Sequence, residues 1–97
     1  AQIPVVDATR MAATVIDVRQ ANEYAAGHLP GATNIELGSI PDTAQPDDEV
    51  TVMCGHGERA MTAASLLASR GHAAVSVFDG GPDTWVAATG RDLEIEP

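Results

Sequence analysis

The sequence predicts an α/β domain with a mainly parallel five-stranded sheet that is flanked by helices on both faces. Short β-branched runs alternate along the chain with segments of helical spacing, as the βαβ units of parallel sheets require. The runs are continuously apolar, which is typical of strands that are buried on both faces. The chain has 97 residues, a length that suits one domain.

Five runs are predicted as strands. The clearest are residues 14–18 (TVIDV), 49–54 (EVTVMC) and 74–78 (AVSVF), and the weaker ones are residues 3–6 (IPVV) and 32–37 (ATNIEL). Each of the three clear runs is followed by polar or glycine-containing residues. Because ligands of open α/β sheets bind at the carboxyl ends of the strands, these following residues are the candidates for a functional site.

Four segments are predicted as helices, namely residues 7–13, 20–27, 59–71 and 82–89. Asp7 is an expected N-cap of the first. The third has the strongest pattern, because it carries an apolar stripe of Ala60, Ala63, Ala64, Leu67 and Ala68.

The composition excludes several classes of function. Five arginines and no lysine stand against 14 acidic residues, which gives a net charge of −9. No basic stripe is present to neutralise phosphates, so we expect no nucleic-acid binding. No apolar run approaches the roughly 20 residues of a membrane span, so we expect no membrane insertion by this domain.

A single cysteine cannot form an internal disulfide, so the sequence implies no oxidising compartment, and we expect a cytoplasmic protein. We also expect residues 1–97 to form one domain that is excised from, or fused within, a longer protein. A fused or separate partner domain is therefore expected among its partners.

That single cysteine, Cys54, ends a predicted strand just before a turn that contains Gly55 and Gly57. The two glycines allow backbone N–H groups to turn toward one point, and the helix that follows adds its positive end. A thiol in this position is favoured as the nucleophilic thiolate. The alternative is a small buried apolar residue, but the glycine-flanked loop and Arg59 favour a nucleophile.

Three ordered motifs resemble those of the rhodanese family of sulfurtransferases. Residues 15–35 (VIDVRQANEYAAGHLPGATNI) resemble its N-terminal signature, and residues 54–59 (CGHGER) resemble its active-site loop, a cysteine followed by four residues and an arginine. Residues 79–85 (DGGPDTW) resemble its C-terminal glycine pair and tryptophan. The resemblance implies a rhodanese-like three-layer fold.

The resemblance also implies a mechanism without a metal or an organic cofactor. Cys54 would be the catalytic residue, taking a sulfane sulfur from a small donor such as thiosulfate or a persulfide. The resulting Cys54 persulfide would pass the sulfur to cyanide or to a thiol acceptor. The expected substrate-binding loop consists of Gly55, His56, Gly57, Glu58 and Arg59.

Within this loop, Arg59 would bind an anionic donor. We expect Glu58 and the overall negative charge to disfavour dianionic thiosulfate, which makes a persulfide the rival donor. Asp17, Arg19 and His28 are expected to give structural support. Cys54, His56 and His28 have no zinc-ligand spacing, so we predict no metal site.

Two other readings stay open. One is a non-catalytic or partner-dependent sulfur-carrier or regulatory module of the same family, although the retained Cys54 favours an enzyme. The other is a phosphatase or arsenate reductase with a cysteine–arginine loop. The related phosphatases have one more residue between cysteine and arginine, whereas here the arginine is at position 59. The loop length therefore favours sulfur over phosphate.

Overall fold

The computed structural model describes residues 3–42, 49–55, 58–71 and 74–95. From residue 14 onward, strands and helices alternate along these residues, as the sequence predicts. In chain order they are β1 (Val5–Val6), β2 (Thr14–Asp17), α1 (Ala21–Ala26), β3 (Thr33–Asn34), a 3₁₀ helix (Leu37–Asp42), β4 (Val50–Met53), α2 (Glu58–Ser69), β5 (Val75–Phe78) and α3 (Pro82–Thr89).

The five strands form one sheet in the order β1-β5-β4-β2-β3, and every neighbouring pair is parallel. Strand β4 lies at the centre, with Asp17 of β2 opposite Met53 and Val77 of β5 opposite Val52. The predicted α/β architecture with a parallel sheet is therefore confirmed. Because β2, β4 and β5 are parallel neighbours, the segments that follow them leave the same edge of the sheet.

Each face of the sheet packs against its own helices, which confirms the three-layer arrangement. Alternate strand residues point to opposite faces, so continuously apolar strands supply both cores. One core lies against α2 and contains Ile16, Val50, Val52, Val75, Val77, Ala60, Ala63, Ala64 and Leu67. The other lies against α3 and contains Met53, Phe78, Leu29, Ala32 and Trp85.

The helix predicted for residues 7–13 is absent, and that prediction is wrong. The Asp7 carboxylate accepts the Thr9 N–H at 2.9 Å and the Thr9 hydroxyl at 2.6 Å, which closes a turn. These bonds lower the pKa of Asp7 and compete with helical backbone pairing. The Ala12 N–H then donates to the buried Thr51 hydroxyl at 2.8 Å, which ties the segment to the sheet.

Two further details differ from the sequence-based expectations. Ala68 belongs to the predicted apolar stripe of α2, but it is exposed. The other four residues of that stripe are buried, whereas position 68 faces away from the sheet. The 3₁₀ helix after β3 was not predicted, and its start is held by a bond from the Leu37 N–H to the Val18 carbonyl at 3.2 Å.

Candidate active site

Cys54 directly follows the central strand β4 and lies at the carboxyl edge of the sheet. It is only 1 % exposed and packs with the core beneath α2. Burial alone would also suit a structural cysteine.

The sulfur of Cys54 lies at the amino end of α2. The Ala60 backbone N–H donates to Cys54 Sγ at 3.3 Å. Ala60 is in the first turn of α2, where backbone N–H groups have no intrahelical carbonyl to bind. This end of the helix carries positive partial charge, so it stabilises a negatively charged sulfur. The arrangement is suited to a thiolate nucleophile.

The structure describes four of the six residues in the predicted loop. Gly55 follows Cys54 and borders a cleft, and Glu58 is exposed at the first position of α2. Arg59 comes next, with a half-buried side chain. His56 and Gly57 lie outside the described residues.

The glycine pair after β5 supports the loop through a very close approach. A Cβ atom on Gly81 would lie 2.1 Å from the Gly55 carbonyl oxygen and 3.0 Å from its carbon. Only glycine fits there without a shift of the backbone. The preceding Gly80 has φ +136, a conformation that other residues rarely adopt. Packing therefore explains why residue 81 is glycine, since the Gly55 carbonyl lies directly against it.

Arg59 is held by Glu23 of α1. Arg59 Nη1 donates to Glu23 Oε1 at 2.9 Å, and Nη2 donates to Oε2 at 3.3 Å. A Cβ atom on Gly55 would lie 3.4 Å from Arg59 Nη2, so the guanidinium also sits beside the loop. The Arg59 hydrogen bond, followed by the Gln20 N–H, lowers the pKa of Glu23 to about 2. The same bond to Glu23 raises the pKa of Arg59.

Glu23 is the residue at this site that sequence reasoning left without a role. It appeared only as one position in the N-terminal signature. The signal in the sequence is that Arg59 is the only arginine near Cys54 along this acidic chain, so a carboxylate partner for it is expected. The sequence could not identify which of 14 acidic residues would meet it.

Asp17 and Arg19 form a buried pair at the end of β2. Arg19 Nη2 donates to Asp17 Oδ2 at 2.8 Å, and Arg19 Nε donates to Asp17 Oδ1 at 3.0 Å. Arg19 Nη2 also donates to the Gly27 carbonyl at 2.7 Å, which connects β2 to the end of α1. Asn34 Nδ2 donates to the backbone carbonyls of both Asp17 and Arg19.

His28 is buried and connects α1 to the C-terminal segment. Its ring stacks on Tyr24 with centroids 3.8 Å apart, and Nδ1 lies 2.8 Å from the Tyr24 carbonyl oxygen. The His28 and Glu94 backbones exchange two hydrogen bonds, at 2.9 and 2.8 Å. His28 Nε2 also lies 3.5 Å from Glu94 Oε1.

A cleft of about 330 Å³ opens beside Gly55. It runs between α1, the start of α3 and the C-terminal segment, and its charged lining residues are Arg19, Glu23 and Asp83. Within the described ranges, no three His, Cys, Asp or Glu side chains are grouped as metal ligands are. No helix of the described chain is long and apolar enough to cross a membrane.

Comparison with known proteins gives one consistent family. A family model for the rhodanese-like domain matches residues 6–88. Two proteins named Thiosulfate sulfurtransferase GlpE are similar over 76 residues, which is 75% of this chain and 70% of theirs. The one from Pseudomonas entomophila (strain L48) is 38% identical and the one from Pseudomonas fluorescens (strain SBW25) is 40% identical.

Solved structures show the same fold. A rhodanese-related protein from Thermoplasma volcanium superposes with a TM-score of 0.83 at 24% identity, covering 96% of this chain and 99% of that one. The family match spans nearly all of the sheet and the Cys54 loop. The chain therefore belongs to the rhodanese-like domain family and is a rhodanese-type sulfurtransferase.

Proposed function

We propose that this domain moves a sulfane sulfur from thiosulfate or a persulfide donor to cyanide or a thiol acceptor through a persulfide on Cys54. The observation that carries the proposal is the hydrogen bond from the Ala60 N–H to Cys54 Sγ at 3.3 Å. It supports a sulfur nucleophile at a helix amino end, next to a cleft that a small donor can enter.

The chemistry consists of two displacements at sulfur. The Cys54 thiolate attacks the outer sulfur of the donor, the donor S–S bond breaks, and its electron pair leaves with sulfite or with a thiolate. In the second step the acceptor attacks the outer sulfur of the Cys54 persulfide. The new S–S bond then breaks, and thiocyanate or an acceptor persulfide leaves as Cys54 returns to the thiolate. Each step conserves charge and needs no external oxidant.

The remaining residues have roles in positioning. We assign Gly55, His56, Gly57, Glu58 and Arg59 to the loop that surrounds the transferred sulfur. Backbone N–H groups in such a loop stabilise the charge of a persulfide without a metal. Asp17, Arg19 and His28 hold β2, α1 and the C-terminal segment around that loop, as their hydrogen bonds suggest.

We place this reaction in the cytoplasm, where thiols are kept reduced and can serve as acceptors. The acceptor can be a small molecule or a thiol of a fused or partner domain. Phosphoryl transfer is disfavoured, because Cys54 and Arg59 enclose only four residues and leave less room for a tetrahedral phosphate.

The test is the intact mass of the domain after incubation with thiosulfate or with glutathione persulfide. We expect a gain of one sulfur atom, its loss on addition of cyanide, and no gain in Cys54→Ser. If neither donor adds sulfur, or if Cys54→Ser still forms thiocyanate, the proposal is refuted. The first of these results would favour a non-catalytic module.

A further inference from the structure

Two arginines, Arg19 and Arg59, lie near Cys54, and each is already paired with a carboxylate. Arg19 binds Asp17 inside the protein, with a shortest distance of 2.8 Å. Arg59 binds Glu23 through both terminal nitrogens, at 2.9 and 3.3 Å. Both arginines are therefore neutralised locally. Asp83 adds another carboxylate to the lining of the cleft beside Gly55.

The Glu23 side chain is held in the position in which its carboxylate pairs with the Arg59 guanidinium. Besides the two bonds to Arg59, Glu23 Oε1 accepts the Gln20 N–H at 3.1 Å, which holds the side chain against the start of α1. The Arg59 hydrogen bond keeps the pKa of Glu23 at about 2, so the carboxylate stays ionised over the range of ordinary assays. A donor that uses Arg59 must either displace this tethered carboxylate or approach a guanidinium whose charge is already paired.

This competition matters most for thiosulfate. Thiosulfate carries two negative charges, and the sulfite that leaves retains both. A guanidinium binds such an oxyanion best with two parallel N–H groups, which is the pairing that Glu23 already takes. When an organic persulfide is the donor, the leaving group is a thiolate, and there is no sulfonate group for Arg59 to bind. The pairing of Arg59 with Glu23 therefore has little effect on the rate with such a donor.

We propose that Glu23 determines donor specificity by occupying the Arg59 guanidinium, which disfavours dianionic sulfur donors and favours organic persulfides. The proposal rests on the proposed persulfide chemistry at Cys54. It assigns the selectivity to an ion pair beside the loop, whereas the sequence alone pointed to Glu58, which is exposed. Glu23 acts here as a specificity residue and takes no part in bond making.

The test compares three donors in the wild type and in Glu23→Gln. Thiosulfate carries two charges, methanethiosulfonate keeps the sulfonyl group with one charge, and glutathione persulfide has no sulfonyl group. Glutamine keeps an oxygen that can accept the Gln20 N–H but lacks the charge that holds Arg59. We expect kcat/KM for thiosulfate to rise about 10-fold, the lower end of the range for a charge-assisted hydrogen bond. Methanethiosulfonate should gain less, and glutathione persulfide should stay within about twofold.

Three further variants establish the cause. Adding Arg59→Ala to Glu23→Gln should abolish the thiosulfate gain, because the gain depends on an available guanidinium. Glu49→Gln makes the same change of charge before β4, at the opposite edge of the sheet, and should leave the donor ratio unchanged. Glu23→Ala repeats the experiment with a second substitution, so a folding defect in one variant does not decide the result.

An unchanged donor ratio in both Glu23 variants would overturn the inference. An equal loss for all three donors would also overturn it, because the ion pair would then only brace the loop. If the wild type gains no sulfur from any donor, the proposed function itself fails and the inference fails with it. That outcome differs from the others, since it appears in the wild-type mass spectrum before any variant is compared.

Discussion

Replacing Gly81 with alanine should displace the Cys54 loop and lower the rate of sulfur transfer. Cys54 itself and Ala60, whose N–H donates to the Cys54 sulfur, are unchanged by this substitution. The new Cβ would lie 2.1 Å from the Gly55 carbonyl oxygen, whereas ordinary contact begins at 3.4 Å. The two backbones must therefore separate by about 1.3 Å, because both partners are main chain and neither can rotate away. A misplacement of about 1 Å at a catalytic centre can cost roughly 100-fold in rate.

Thiocyanate formation with a saturating donor measures this loss, and we expect kcat to fall about 100-fold for every donor. Overpacking should also cost about 1–3 kcal/mol of unfolding free energy, and each kcal/mol lowers Tm by about 4–8 °C in a domain of this size. Gly38→Ala is the matched control, because a Cβ there meets nothing within 4 Å. A folded Gly81→Ala protein with wild-type kcat would refute the claim that this contact positions the loop.

Two further predictions concern the ion pairs. Asp17→Asn should lower the unfolding free energy by about 3–5 kcal/mol in chemical denaturation, because it leaves the buried Arg19 charge without its partner. The control is Asp92→Asn, at an exposed position, for which we expect a loss below about 1 kcal/mol. An equally small loss for Asp17→Asn would contradict the prediction. The folded-state pKa of Glu23 is depressed to about 2 from a usual 4.5, so its stabilising contribution is fully present above about pH 4.5 and is lost as pH falls toward 2. Since Glu23 is 36% exposed, the difference in unfolding free energy between wild type and Glu23→Gln should be about 1 kcal/mol or less at neutral pH. If that difference is the same at pH 2, it does not come from the ionised Glu23 carboxylate.

The central part of the fold was predictable because its signals are local and strong. The strands β2, β4 and β5 are β-branched runs bounded by polar or glycine residues, and α2 carries an apolar stripe that ends before Gly71. The prediction of a helix over residues 7–13 is wrong because Asp7 closes a turn with Thr9 and does not cap a helix. An aspartate at a chain turn accepts the same N–H two residues on, whether or not a helix follows.

The position of Cys54 was predictable for a different reason. A residue that follows the central strand and precedes a helix must lie at the carboxyl edge of a parallel sheet. The contacts around it could not be predicted, because they join residues that are distant in sequence. Arg59 and Glu23 are 36 positions apart, and Gly81 meets Gly55 only after β5 has been placed beside β4.

Three contacts of different chemistry therefore involve the described residues of the Cys54 loop. The Ala60 N–H of α2 donates to the Cys54 sulfur, the Gly81 backbone contacts the Gly55 carbonyl, and Glu23 pairs with Arg59. Because these contacts come from separate elements, their effects should separate experimentally. Loss of the Gly81 contact should reduce the rate for all donors, whereas loss of the Glu23 charge should change the ratio between donors. If both results are obtained, one residue of α1 determines the donor preference, while Cys54 and the Ala60 N–H that contacts its sulfur are unchanged.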